Sequence, residues 1–281
     1  MDNATTWQLP FGSPAELQLL SEWGSLTLLP VEAGGQPRLE LTRGSAEHVD
    51  VNVERHADVV RVSLDPRRSL SWFGGWECRA TLYVPPDVHA AVQTSAGSVT
   101  ARDLHACQLG IKASAGKIHL ERVYGVLHLA AEAGSIHGDD VGGMLEVQTQ
   151  AGSVLLSIGS LQPGEHRIRG SVGSVRLEIA RDLKVCIETH SSFGSLRTSY
   201  PSDPTSAVRL LVSTEMGSVR IDEAPFGARP SPPVSSAPTS QHTATPPRQA
   251  DAELERVLAM VESGELSARD ADELLRAMGR V

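Results

Sequence analysis

Aromatic side chains are scarce in this chain of 281 residues, only 4% of the total, so its core cannot be organised around large rings. Basic runs are missing as well. The formal net charge is -9 and no Lys/Arg cluster exceeds the pair Arg67 and Arg68, which argues against a surface that tracks phosphates. Nucleic acid is therefore not an expected partner. The cysteines, Cys78, Cys107 and Cys186, are too few, too far apart and odd in number for the disulfide framework of a small secreted domain, and they read as reduced, mostly buried thiols. The N-terminal segment lacks a basic stretch followed by an apolar one, and no apolar run approaches the roughly 18 residues of a membrane helix. The expectation is a soluble, cytoplasmic protein that associates with a membrane only through a partner.

What the chain has instead is glycine in register. Glycine recurs every nine residues at Gly116, Gly125, Gly134, Gly143 and Gly152. The second residue after each is apolar (Ile118, Leu127, Ile136, Leu145, Val154), and the fourth is too (Leu120, Leu129, Val147, Leu156), except at Gly138. That alternation is strand-like, with the intervening third position facing outward. A wider pattern reads "SAGSV", "SAGKI", "EAGSI", "QAGSV", "SVGSV", "SFGSL" and "EMGSV", centred on Gly97, Gly116, Gly134, Gly152, Gly173, Gly194 and Gly217. The spacings are 19, 18, 18, 21, 21 and 23, the later repeats carrying longer loops. One repeat is two short strands and two turns, and the glycines are assigned as structural turn residues where φ > 0 is needed. A single repeat cannot bury its own apolar positions, so the repeats must stack. The predicted fold is all-β: stacked β-strand repeats, β-solenoid-like, with a small α-helical hairpin at the C-terminus on a disordered linker.

Residues 1–91 read as a less regular β region that caps the stack, with strand patterns such as "GSLTLL" at Gly24 and "CRATLYV" at Cys78, and residues 92–224 carry the repeats. Residues 225–250 hold seven of the 17 prolines and read as a Pro/Ser-rich disordered linker. Residues 251–281 switch to helical spacing. Leu254, Val257, Leu258 and Val261, then Leu274, Leu275 and Met278, form an apolar stripe on a predicted helical hairpin, with Gly264 placed as a cap between the helices. Thirty-odd residues bury too little to fold alone, so the stripe is expected to meet another copy, the β body or a protein partner.

Polar candidates are few. His119, His128 and His137 occupy the outward third position of successive nine-residue units, with Glu146 next in the series. If one coil is 18 residues, His119 and His137 become neighbours on one face and His128 lies beside Glu146 on the other. Two imidazoles on adjacent strands suit zinc or a shared titration, yet no third ligand is evident, so they are expected to be polar surface residues without a tight metal site. Asp139 and Asp140 are consecutive and so point to opposite sides of a strand. Calcium-binding nonapeptide repeats carry an aspartate in every repeat, which these do not. No nucleophile-elbow, zinc-protease or phosphate-loop motif is present. Trp72 and Trp76 are read as a hairpin or core edge that needs no ligand. The expectation is no enzyme and no cofactor.

The glycine-centred repeats, the lead-in "ATLYVPPDVHAAVQTSAGSVTARDL" from Ala80 to Leu104 and the early "GSLTLLP" resemble the bacterial putative-adhesin β-strand repeat family, also called the toastrack domain, over about Gly24 to Ile221. The terminal "LERVLAMVESGELSARDADELLRAM" is similar to the short C-terminal-domain hairpins that accompany such domains in envelope-stress proteins. The resemblance implies a non-enzymatic β scaffold tied to cell-envelope stress, working with protein partners that include membrane proteins. It carries no catalytic residue. Two other readings stand beside it: a self-assembling cytoplasmic β-solenoid filament, and a carbohydrate-active β-helix enzyme, for which only Asp139, Asp140 and Glu146 come near a cluster of acids.

Overall fold

The structure is a computed structural model that describes residues 5–12, 15–42, 49–66 and 78–227. The C-terminal hairpin residues Leu254 to Met278, the linker beyond Gly227, and Trp72 and Trp76 lie outside the described residues. The described part is all-β. Its strands are β1 (Thr5–Gln8), β2 (Glu16–Pro30), β3 (Arg38–Leu41), β4 (Val49–His56), β5 (Val59–Pro66), β6 (Arg79–Val84), β7 (His89–Arg102), β8 (His105–Glu121), β9 (Tyr124–Leu161), β10 (Gly164–Arg181), β11 (Cys186–Thr198) and β12 (Val208–Gly227). The long strands pair in parallel and in register, β2 with β7, β7 with β8, β8 with β9, β9 with β10, β10 with β12, and β12 with β11.

Each long strand is one coil made of two arms with a glycine between them; β9 contains two coils. The glycines align one above another: Gly24 on Gly97, Gly97 on Gly116, Gly116 on Gly134, Gly152 on Gly173, Gly173 on Gly217 and Gly217 on Gly194. A second column joins Cys107, Gly125 and Gly143 at the opposite corner. The nine glycines singled out by spacing, and Gly24 with them, all have φ between +104° and +152°. Gly24 escapes a search by period because 73 residues separate it from Gly97.

Side chains alternate along both arms. Val92, Ile111, Leu129, Val147, Ile168 and Val212 point inward before the corner, and Val99, Ile118, Ile136, Val154, Val175 and Val219 after it; all are buried in a single core cluster. Branched aliphatics suit a pleated face packed into a core, which is why so few rings are needed. Gly138, the exception to the inward pattern, sits where an added Cβ would lie 2.8 Å from Leu156 Cδ2 and 3.0 Å from Val141 Cγ1, so its neighbours already fill the space.

The N-terminal region contributes a full coil. β2 runs along β7 through both arms, and its outer edge is then covered separately, the first arm by β5 and the second by β6. Beyond these the pairing turns antiparallel, β4 on β5 and β3 on β6, with β1 on β3. This end of the stack is therefore closed by β3 and β4, which run against the coil direction, with β1 turned back along it outside β3.

At the other end the chain does not stack its coils in sequence order. β12 enters between β10 and β11, leaving β11 as the outermost strand. Burial explains the exchange. The inward positions of β12, which are Leu210, Val212, Val219 and Ile221, are all buried, whereas their partners on β11 are Ile187, Thr189, Leu196 and Thr198. The more apolar strand takes the place flanked on both sides, and the more polar one takes the edge.

One inward position holds a histidine. His166 occupies the row that is otherwise Leu127 and Leu145, and it is fully buried. Its Nδ1 accepts the Leu145 N–H at 3.2 Å, while Nε2 lies 2.8 Å from the Gln162 carbonyl and donates to it. The longer turn before β10 leaves those backbone groups without ladder partners, and the ring satisfies both. Burial holds its pKa below the ordinary histidine value.

Two outcomes follow from this packing. In Gly134→Val the new Cβ would fall 1.8 Å from the Gly116 carbonyl oxygen, and in Gly152→Val 1.6 Å from that of Gly134, so chemical denaturation should show each variant destabilised by roughly 3 kcal/mol or more. Gly34→Ala, at φ +81° with nothing within 4 Å of its Cβ, carries the backbone strain alone and should cost only about 1 to 2 kcal/mol. The second outcome concerns His166. Because its folded pKa is depressed, protonation favours the unfolded chain. Its contribution is complete above the unfolded pKa of about 6.5 and is lost as pH falls below that value. The melting temperature should drop on acidification from pH 7.5 to 5.5, and less steeply in His166→Leu.

Candidate functional site

The strict register converts sequence spacing into outward columns. On the second arm, the third position after the glycine places Thr100, His119 and His137 on adjacent strands. The two imidazoles stack, with ring centroids 5.0 Å apart and planes 13° from parallel. Two residues beyond His137 on the same face stands Asp139, whose Oδ2 lies 3.0 Å from His137 Nε2. Sequence spacing shows no third ligand beside the histidine pair and groups Asp139 only with the acids Asp140 and Glu146. Along a strand the relevant partner is two residues away, not one. One donor atom from each of His119, His137 and Asp139 lies within 4.8 Å of the others.

Charge around this cluster is balanced. Asp139 stacks on Glu121, and Glu121 on Arg102 of the preceding strand, joined by a 3.0 Å ion pair. Arg122, at the next corner with φ +53°, spans Asp103 through Nε at 2.5 Å and NH2 at 3.0 Å, and also contacts Glu121. These bonds hold the Asp103 carboxyl below the usual carboxylate range. Partial burial, and then the charge of His137, hold His119 below the ordinary histidine range.

His128 and Glu146 fall on the first arm, away from the stacked pair, with His128 Nδ1 3.0 Å from Glu146 Oε2. Beside them a shallow depression of about 270 Å³ opens where Ala91 and Gly110 offer little side chain in a column otherwise occupied by His128 and Glu146. The three acids considered for a hydrolytic site are thus not brought together. Asp139 faces out from the second arm and Glu146 from the first, while Asp140 takes the corner at φ +55° with its carboxylate oxygens buried. Cys78 and Cys107 are free and buried, and burial pushes the Cys107 thiol up to about 12. Cys186 is half-buried at the start of β11.

The most exposed apolar surface among the described residues gathers at the open end of the stack. The position before the glycine is alanine in the middle coils, at Ala96, Ala115, Ala133 and Ala151. It becomes Val172, Met216 and Phe193 on the last three strands, adjacent in register and 47%, 54% and 75% exposed. Leu196, which continues the inward row of Val175 and Val219, is 44% exposed because no further coil among the described residues covers it. On the outer face Arg176, Arg220 and Arg197 stack in the same way. Asp222 receives Arg220 at 2.5 Å and Arg176 at 4.0 Å, while Arg197 has no acidic partner among the described residues. Composition offered no signal for this surface, since the outermost position depends on the exchanged strand order.

No helix among the described residues is long and apolar enough to cross a membrane. No protein-family model matches the chain, and no curated protein does. Among solved structures, it is similar to a putative cell adhesion protein from Clostridium sporogenes, at 10% identity over 80% of this chain and 100% of that one, with a TM-score of 0.36. It is also similar to a putative adhesin from Bacteroides fragilis, at 10% identity over 78% of this chain and 95% of that one, again with a TM-score of 0.36.

Proposed function

We propose that this β-repeat protein is a non-enzymatic interaction scaffold, and that its open terminal coil receives a protein partner by addition of an extended segment to β11. The observation that carries the reading is the coincidence, on one edge strand, of Phe193, Leu196 and Arg197. An exposed edge offers unpaired backbone donors and acceptors, and strand addition uses them while side chains select the partner. Phe193 with Met216 and Val172 supplies an apolar strip, and each large side chain contributes about 1.5 to 3 kcal/mol when fully covered. Arg197 calls for a carboxylate on the incoming segment. The fitting partner is an extended peptide of apolar and acidic character.

The resemblance of the repeats to the toastrack family supports reading this scaffold as part of a bacterial cell-envelope stress pathway, with a membrane protein as one fitting source of the segment. The apolar stripe at Leu254, Val257, Leu258, Val261, Leu274, Leu275 and Met278 is proposed as a second contact, for self-association or for the same partner. An indefinite filament is a poorer reading. A copy added at the closed end would meet the short strand β1 on one arm and β4, which runs against the coil direction, on the other, and not a matching coil.

Phe193→Glu combined with Met216→Glu should keep the circular dichroism and melting temperature of the β domain, since both positions are exposed. When the tagged full chain is recovered from cells under cell-wall stress, envelope proteins that co-purify with the unaltered chain should be lost from this variant. A chain ending at residue 250 should retain them more weakly. Identical sets from all three would remove the terminal coil and the C-terminal stripe as docking elements.

A further inference from the structure

We propose that His119, His137 and Asp139 form a binding site for a divalent transition-metal ion, with zinc as the natural test ion, on the second-arm face of the stack. The site rests on geometry that no other described group of side chains shares: two imidazoles and a carboxylate, contributed by two neighbouring coils, each offering a donor atom within 4.8 Å of the others. In-register pairing of His119 with His137 sets the rings parallel at 5.0 Å, so one nitrogen of each can turn toward a common point above the strands. Asp139 is already drawn to that point by its 3.0 Å contact with His137 Nε2.

Zinc takes nitrogen donors at about 2.0 to 2.1 Å and carboxylate oxygens at about 2.0 to 2.2 Å, which sets tetrahedral donors about 3.3 Å apart and requires the widest pair to close by up to about 1.5 Å. The side chains of His137 and Asp139 are 37% and 53% exposed, free enough to make that adjustment by rotation about χ1 and χ2. Two imidazoles among three donors favour zinc, nickel, cobalt or copper over calcium or magnesium, which prefer all-oxygen shells. Three protein ligands leave a fourth position for water or for a donor from another molecule, so the ion would be exchangeable and able to bridge to a partner.

The surroundings suit the neutral ligand form. His119 faces His137, Asp139, Arg102 and Glu121; burial and the neighbouring imidazole oppose its protonation more than the two carboxylates favour it. Arg102 does not occupy the site, being held by Glu121 at 3.0 Å. Glu121, stacked beneath Asp139, adds negative charge without entering the donor set. Bound metal would displace the contact of His137 with Asp139 and tie two coils together through their side chains.

The test uses the full chain stripped with a chelator and titrated at pH 7.5 with zinc by calorimetry, and with Co(II) by visible spectroscopy. The expected result is one ion per chain, Co(II) bands of nitrogen- and oxygen-ligated metal, and a raised melting temperature. His119→Ala, His137→Ala and Asp139→Asn should each weaken binding about tenfold or more, while His128→Ala, on the other arm, leaves it unchanged. Affinity should fall on acidification, because protons compete with the metal for the imidazole nitrogens. All four positions face outward, so melting of the metal-free variants will show whether they remain folded. Absence of stoichiometric binding, or binding that survives the three ligand substitutions or disappears with His128→Ala, would overturn the site.

Discussion

The close approach of successive coils at the glycine corner is the constraint on which everything else depends. The carbonyl oxygen of Gly116 occupies the place where a Cβ on Gly134 would stand, and that of Gly134 does the same to Gly152. Backbone stacks directly on backbone, and a shift of one residue would drive a side chain into the carbonyl below. The register is thereby set at one point in every coil. Once it is set, the two-residue period of a strand decides which side chains face the core and which face water. The aliphatic rows of Ile118 and Ile136, or Ile111 and Leu129, are consequences of that alignment as much as causes of it.

Register alone does not decide the order in which coils stack. The repeats centred on Gly173, Gly194 and Gly217 are equivalent at their glycines, so any of them could follow Gly152 without violating the corner. The choice falls to burial. Placing β12 between β10 and β11 encloses Leu210, Val212, Val219 and Ile221, and leaves Thr189 and Thr198 on the strand that must face solvent. The reverse order would spend the doubly covered position on threonines and expose four aliphatics. An edge of moderate polarity also guards against uncontrolled pairing, although Phe193 and Leu196 stand out against that background.

Much of the fold was legible in the sequence because a repeat repeats its physics. The nine-residue glycine period and the apolar second and fourth positions report corner and core directly, and they place His119 against His137 and His128 against Glu146 once a coil is taken as 18 residues. What was hidden needed distance or comparison between strands. Gly24 belongs to the corner column but is separated from Gly97 by a hairpin and several strands that obey another pattern. The exchange of β11 and β12 depends on the relative apolarity of two coils, not on the motif they share. Asp139 reads in sequence as one of three acids with Asp140 and Glu146, although the strand brings it to His137. His166 reads as polar in sequence, and only the orphaned groups of Leu145 and Gln162 explain its place in the core.

In-register stacking also has an electrostatic consequence, because it sets like beside like. A column of identical charges on adjacent strands is repulsive, so each one needs acids nearby. Along Arg176, Arg220 and Arg197 the chain supplies Glu178 and Asp222, and these serve the two inner arginines. Around His119 and His137 it supplies Asp139 and Glu121. In these two columns the compensation holds at the inner strands and stops at the open end. There the cation left over, Arg197, is next in sequence to the core leucine left uncovered, Leu196. A missing coil would account for both, carrying an acid on its outer face and an aliphatic residue on its inner one. In the proposed reading, the segment that completes the terminal coil is therefore a strand, alternately apolar and acidic.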